Sequence, residues 1–178
     1  MLRATSEGLE SQLDGKRPLL FGRSSYIGAH RYAGIWTGDN CSWWSHLLLN
    51  IQQMSGLNMC GFMFSGADTG GFGCETTEDL LTRWNEFSIF TPLFRNHSTC
   101  DVRYQECYRF ENVKVSRELI TLRYRLIPYL YSEFLKAADR DECYMRALAF
   151  DYEDDDEALR VEDQLLLGEI GRASCRGR

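Results

Sequence analysis

What this chain lacks narrows its chemistry first. It has no apolar run long enough to span a bilayer and no charged-then-apolar leader in Met1–Glu7, so the sequence predicts no membrane partner and a cytoplasmic location. A basic stripe is missing as well. The net charge is -6, and much of it sits in the run Asp151–Glu157, which disfavours nucleic acid and anionic lipid as partners. That run reads as an acidic loop or solvated face. The seven cysteines (Cys41, Cys60, Cys74, Cys100, Cys107, Cys143, Cys175) contain no Cys-x-x-Cys pair, and His30, His46 and His97 lack the i, i+4 spacing of a helical metal pair. Reduced thiols, no metal and no cofactor are the expectation.

What is there is enough to build a core: 44% of the 178 residues are hydrophobic and 13% aromatic. Four strand-like apolar runs stand out, Pro18–Phe21, Ala33–Thr37, Met59–Phe64 and Phe87–Thr91. Each is followed within a few residues by a charged or imidazole group: Arg23, Asp39, Asp68 and His97 respectively. In α/β sheets and barrels the carboxyl ends of parallel strands are where chemistry is placed. Helix-period segments separate the later runs, so the four strands are expected to be parallel, with their ends on one face around a shared pocket. On the residues alone, Asp39 and Asp68 form the obvious carboxylate pair.

The helices are read from caps and stripes. Thr5–Leu13 predicts a short helix before the Asp14-Gly15 turn, whereas 24–32 is too short and Gly-interrupted for a crossover helix. Ser42 is placed to cap a helix with Trp44, Leu47, Leu48, Ile51 and Met54 on one stripe, ended by Ser55-Gly56. Thr76-Thr77 with Asp79 suggests a capping box ahead of Leu80, Leu81, Trp84 and Phe87. Lys114–Ala138 predicts a long amphipathic helix with Val115, Leu119, Leu122, Leu126, Leu130 and Phe134 inward and a kink at Pro128. After a polar turn at 139–142, Tyr144–Phe150 has the alternation of a strand that opens a second, all-β domain. The class is α/β. Barrel closure takes about eight strands, so four make half a barrel, whose free edges would invite aggregation or pairing with another copy.

The motifs Arg23-Ser24, Trp36–Asn40 (Trp-Thr-Gly-Asp-Asn), Ser65–Phe72 (Ser-Gly-Ala-Asp-Thr-Gly-Gly-Phe) and Arg95–His97 (Arg-Asn-His) resemble family 31 of the glycoside hydrolases, the α-glucosidase and α-xylosidase family. The likeness is ungapped from Arg23 to His97 and continues more weakly through Arg123–Tyr131 and Asp163–Gly168. Taken singly, each residue has a bland reading: a turn Asp, a surface Arg, a core His, a core aromatic. Together and in order they favour a site.

The resemblance implies a retaining α-glycosidase on a (β/α)8 TIM barrel followed by a β-sandwich. On that reading 1–140 are the later strands of the barrel, its C-terminal half, and 141–170 begin the sandwich. Such an enzyme uses a nucleophilic carboxylate and an acid/base carboxyl about 5 Å apart. Asp39 matches the acid/base, with Trp36, Trp43 and Trp44 expected to desolvate it. Asp68, Arg23 and His97 match residues that bind sugar hydroxyls, and Trp36 and Phe72 match aromatic walls of the pocket. No nucleophile motif of the family's Asp-x-Asn-Glu type occurs between Met1 and Arg23, so the chain is expected to start after it and to be inactive alone. An oligosaccharide or α-glycoside is the implied partner, with an α-xyloside as alternative substrate and a non-catalytic sugar-binding half-barrel as a third reading. Glu169–Arg176 departs from the family and resembles a translated sequencing adapter, so 171–178 are expected to be a non-native tail. Oligomeric state leaves no signal in this sequence.

Overall fold

The computed structural model describes residues 1–169 and the backbone of 171–174. Three short strands, β1 (Phe21–Gly22), β2 (Gly34–Trp36) and β3 (Ser65–Gly66), lie in the order β1-β2-β3 and are parallel. Past Ala67 the same chain path continues as β4 (Asp68–Thr69), which turns away from β2 and pairs in parallel with β5 (Arg95–Asn96), Asp68 facing Arg95. The four strand paths therefore share one direction, and the loops that leave them are gathered at one end.

Two of the four expected strands sit elsewhere. Met59 is the last residue of helix α2 (Trp44–Met59), and the third strand starts only at Ser65. Phe87 and Ser88 close helix α3 (Glu78–Ser88), and the fourth strand starts at Arg95. The buried members of both runs are interior for another reason. Phe62 packs with Ala29 and Ile35, and Phe87 and Ile89 face the core from a helix end and the turn after it. Periodicity cannot separate a short apolar strand from a buried helical turn.

Helix α1 spans Leu2–Gln12, starting three residues before the expected Thr5, and 24–32 holds only a 3-10 turn, Ala29–Arg31. The cap of α2 is Trp43, not Ser42, whose hydroxyl donates to the Cys74 carbonyl at 3.2 Å instead. Ser55-Gly56 does not stop α2, because the helix continues to present Asn58 to the interior. The Asn58 amide accepts from the Met145 backbone at 2.8 Å and donates to the Met54 carbonyl at 2.9 Å. Of the expected stripe, Leu47, Ile51 and Met54 are buried while Trp44 and Leu48 are exposed. In α3 the cap is Thr77 alone, accepting from Leu80 N–H at 3.3 Å, with Glu78 and Asp79 beside the helix dipole's positive end. Its predicted apolar face, Leu80, Leu81, Trp84 and Phe87, is fully buried.

Helix α4 (Val113–Arg140) contains Pro128 and lays a partly buried stripe along α3. From it Arg123 reaches the Ile89 and Pro92 carbonyls, closing the turn between α3 and β5. Beyond α4, β6 (Met145–Ala147), β7 (Gln164–Leu167) and β8 (Gly171–Ser174) form an antiparallel sheet in that order. The expected strand at Tyr144–Phe150 is thus three residues followed by a 3-10 turn at Leu148–Phe150. Of the expected non-native tail, 171–178, the backbone of 171–174 pairs with all four residues of β7; 175–178 lie outside the described residues. One apolar cluster joins Leu47, Ile51 and Met54 of α2, Leu80 and Trp84 of α3, Leu130 of α4, and Tyr144, Met145, Leu165 and Leu167 of the sheet region. The antiparallel sheet and the helices behind the parallel strands therefore share a core. No helix among the described residues is long and apolar enough to cross a membrane.

Candidate active site

Each of the six sequence-predicted site residues lies at or just beyond a parallel strand's carboxyl end. Arg23 follows β1, Trp36 ends β2, Asp39 follows it, Asp68 opens β4, Phe72 lies three residues past β4, and His97 follows β5. The structure brings them together in linked pairs. An Arg23 guanidinium nitrogen lies 3.4 Å from an Asp39 carboxylate oxygen. Gly38 makes that approach possible. It sits at φ 87, and a Cβ there would stand 3.1 Å from Arg23 Nε. The Phe72 and His97 rings stack at 5.2 Å between centroids, tilted by 38°.

Asp68 is the buried centre, with no exposed surface. One carboxylate oxygen accepts from the Arg95 guanidinium, and the other, Oδ2, has no partner among the described residues. Burial pushes the Asp68 carboxyl above the usual carboxylate range. The Arg95 hydrogen bond and charge and the nearby His97 pull it back only in part, and Asp39 adds a further upward push. Arg95 also covers the Trp36 ring at 5.5 Å, so one guanidinium ties the buried carboxylate to the aromatic residue. A buried carboxylate with a free oxygen is an acceptor waiting for a donor such as a hydroxyl.

Asp39 is only partly covered: its side chain keeps 46% of its exposure, Trp43 and Trp44 are themselves about half exposed, and Trp43 packs edge-on against His46.

Sequence reasoning gave no separate role to three residues that hold the site. Asn40 is buried. Its amide donates to the Asp68 carbonyl at 3.1 Å and accepts from Phe72 N–H at 2.8 Å, pinning the Asp39 loop to the Asp68–Phe72 loop. Gln105, also buried, donates to the Gly71 and His97 carbonyls, each at 3.0 Å, and so staples the Phe72 loop to the His97 loop. Arg95 is the third. Asn40 and Arg95 lie inside the quoted motifs, whereas nothing around Gln105 marks it in the sequence. Among the described residues no group of three or more His, Cys, Asp or Glu side chains is placed to hold a metal ion.

Carboxylates, an arginine, a histidine and aromatic rings gather at the carboxyl ends of parallel strands, the end of α/β folds where chemistry is placed. Comparison with known proteins gives the family. Residues 1–133 match the model of the glycosyl hydrolases family 31 TIM-barrel domain. Alpha-glucosidase 2 of Bacillus thermoamyloliquefaciens is 40% identical over 170 residues, 94% of this chain and 22% of that protein. The crystal structure of glucosidase II alpha subunit in its alpha3-Glc2-bound form superposes with a TM-score of 0.89 at 32% identity, covering 98% of this chain and 20% of that one. A GH31 dextranase of Flavobacterium johnsoniae complexed with isomaltotriose gives a TM-score of 0.91 at 27% identity, with 98% and 23% covered. The chain belongs to family 31 of the glycoside hydrolases. It spans about a fifth of the length of the curated relatives it matches.

Proposed function

We propose that this chain is the later part of the catalytic barrel of a retaining, exo-acting α-glucosidase, in which Asp39 is the acid/base. The observation that carries this is the placement of the Arg23–Asp39 pair beside the buried Asp68 carboxylate at the carboxyl ends of parallel strands. The relatives named as α-glucosidases favour a glucoside over a xyloside. The neighbouring structures bound to alpha3-Glc2 and isomaltotriose favour an oligosaccharide of glucose. The strand order fits half of a (β/α)8 barrel, and the antiparallel β6-β7-β8 sheet fits the start of a following sandwich.

In this reading Asp39 gives its proton to the leaving glycosidic oxygen and then, as carboxylate, takes one from water. Exposure suits the second role, since water must reach it. The first needs the neutral form, which a sugar lying over Asp39 favours by displacing water. Arg23, 3.4 Å from the carboxylate, is placed to orient it. Asp68 does not compete for the role of nucleophile: Arg95 holds one oxygen, and the free Oδ2 is assigned to a sugar hydroxyl. His97 binds a second hydroxyl, and Trp36 and Phe72 face the ring's C–H surface. The nucleophile comes from chain outside these residues, so 178 residues alone turn over no α-glucoside.

The test is Asp39→Asn in the complete enzyme. Turnover of α-glucosides with poor leaving groups is expected to fall by about 10²–10⁴-fold, and of activated aryl α-glucosides by far less, since only poor leaving groups need protonation. Equal loss on both kinds of substrate contradicts the assignment.

A further inference from the structure

Two thiols lie where the Asp39 loop and the Phe72 loop run side by side. Cys41 forms an isolated parallel bridge with Gly73, Ser42 N–H donates to the Gly73 carbonyl at 2.8 Å, and Gly73 N–H donates to the Asn40 carbonyl at 2.8 Å. The backbones are in direct contact: a Cβ at Gly71, which sits at φ 96, would collide with the Ser42 backbone nitrogen. The Cys41 sulfur occupies space that glycine leaves open, 3.6 Å from where a Gly73 Cβ would be. Cys74 is the next residue. In a regular strand it would point to the face opposite residue 73, but its φ of 65 breaks that alternation, and the Ser42 hydroxyl holds its carbonyl. The Cys41–Gly73 bridge puts Cys74 one residue from the Cys41 backbone partner, and burial first, then the neighbouring Cys74 thiol, push the Cys41 thiol upward. Cys74 is exposed and Cys41 half-buried.

We propose that Cys41 and Cys74 form a thiol–disulfide exchange site that fastens the Asp39 loop to the Phe72 loop. The co-reactant is a low-molecular-weight disulfide such as oxidised glutathione. The exposed Cys74 loses its proton and its sulfur attacks one sulfur of that disulfide, forming a mixed disulfide and releasing one glutathione, which takes up the proton. Cys41 then loses its proton and attacks the Cys74 sulfur. The Cys41–Cys74 bond forms, the mixed disulfide breaks, and a second glutathione leaves as thiol. Two protein thiols are oxidised and one small disulfide is reduced to two thiols. The bond lies two residues after Asp39 and two after Phe72, so oxidation adds a covalent tie to two loops that hydrogen bonds of Asn40, Ser42 and Gly73 already hold side by side.

The test reads linkage and not turnover, so its outcome is independent of the proposed glucosidase activity. The complete enzyme, folded, is equilibrated in graded mixtures of reduced and oxidised glutathione, quenched with an alkylating agent, digested and mapped by mass spectrometry. A Cys41–Cys74 linked peptide is expected to exceed any other pairing among Cys41, Cys60, Cys74, Cys100, Cys107 and Cys143 by about tenfold or more, given the high effective concentration of adjacent thiols. Cys74→Ser and Cys41→Ser each remove it, Cys60→Ser and Cys100→Ser leave it, and oxidation of the unfolded protein scrambles the pairings. Recovery of both cysteines alkylated or separately glutathionylated from folded protein, or the same scrambled pattern folded and unfolded, overturns the proposal.

Discussion

The strand-end loops and the helix-and-sheet core behind them solve opposite problems. In the core, Trp84 and Met145 have no exposed surface, Tyr144 retains only 1%, and most polar groups that enter are matched: the Tyr144 hydroxyl donates to the Phe90 carbonyl at 3.0 Å and Asn58 bonds on both sides, the Trp84 indole N–H being the exception among the described residues. At the strand ends matching is incomplete. Of the six buried side-chain atoms without a partner in the protein among the described residues, four belong to Asp68, Thr69, Arg95 and Gln105. Unsatisfied buried polar groups cost stability wherever they occur. Their concentration at one end says that the strand-end loops give up stability which the core supplies.

Cutting the core is expected to have the largest effect on stability. Trp84→Ala should cost about 3–5 kcal/mol, seen as a lowered urea midpoint of the complete enzyme, while the turnover number of the protein that remains folded stays close to the original. A lost turnover number with an unchanged midpoint would erase the distinction between the two regions.

Next comes the guanidinium that joins Asp68 to Trp36. Arg95→Met leaves a buried carboxylate unpaired, and with Arg95 partly exposed the expected cost is about 1–3 kcal/mol. Adding Asp68→Asn should recover part of that stability and none of the sugar affinity, a pattern that separates pairing from binding. A double variant no more stable than Arg95→Met would show that Arg95 does not act through Asp68.

The smallest effect is one of sign. Glu133, on α4, is held below the usual carboxylate range by the Lys136 hydrogen bond at 2.7 Å and by Glu169 N–H. Its contribution is present in full above the ordinary carboxylate pKa and is lost as pH falls through the lowered value. Asp68 runs the other way. Its carboxyl is raised, so the folded state holds the proton more tightly, and stability declines as pH climbs from the ordinary carboxylate range through the raised value. The stability difference between the original protein and Glu133→Gln should therefore shrink on acidification, and that for Asp68→Asn should shift in favour of the variant as pH rises. Urea midpoints across the acid range check both; parallel curves would contradict the assignment.

How much of this was legible in the sequence depended on what each residue's neighbours are. The apolar face of α3 was, because Leu80, Leu81, Trp84 and Phe87 report a local period. The strands at Ser65 and Arg95 were misplaced because the apolar runs before them serve a helix end and a buried turn, which only the tertiary core decides. The placement of Arg23, Asp39, Asp68 and His97 at strand ends was legible from the apolar run before each, a rule that survives a shift of several residues. How much of Asp39 stays open to solvent was not legible, because nothing in the local sequence says that Trp43 packs against His46. Gln105 was invisible, since its three acceptors are backbone carbonyls contributed by distant segments.

The most direct measurement is the product formed by Asp39→Ala of the complete enzyme from an activated α-glucosyl donor in the presence of azide. If Asp39 is the acid/base, azide enters the site it vacates and captures the glycosyl-enzyme on the α face, giving α-glucosyl azide with restored turnover. A β-glucosyl azide would make Asp39 the nucleophile, and undiminished hydrolysis with no azide product would remove it from the chemistry altogether.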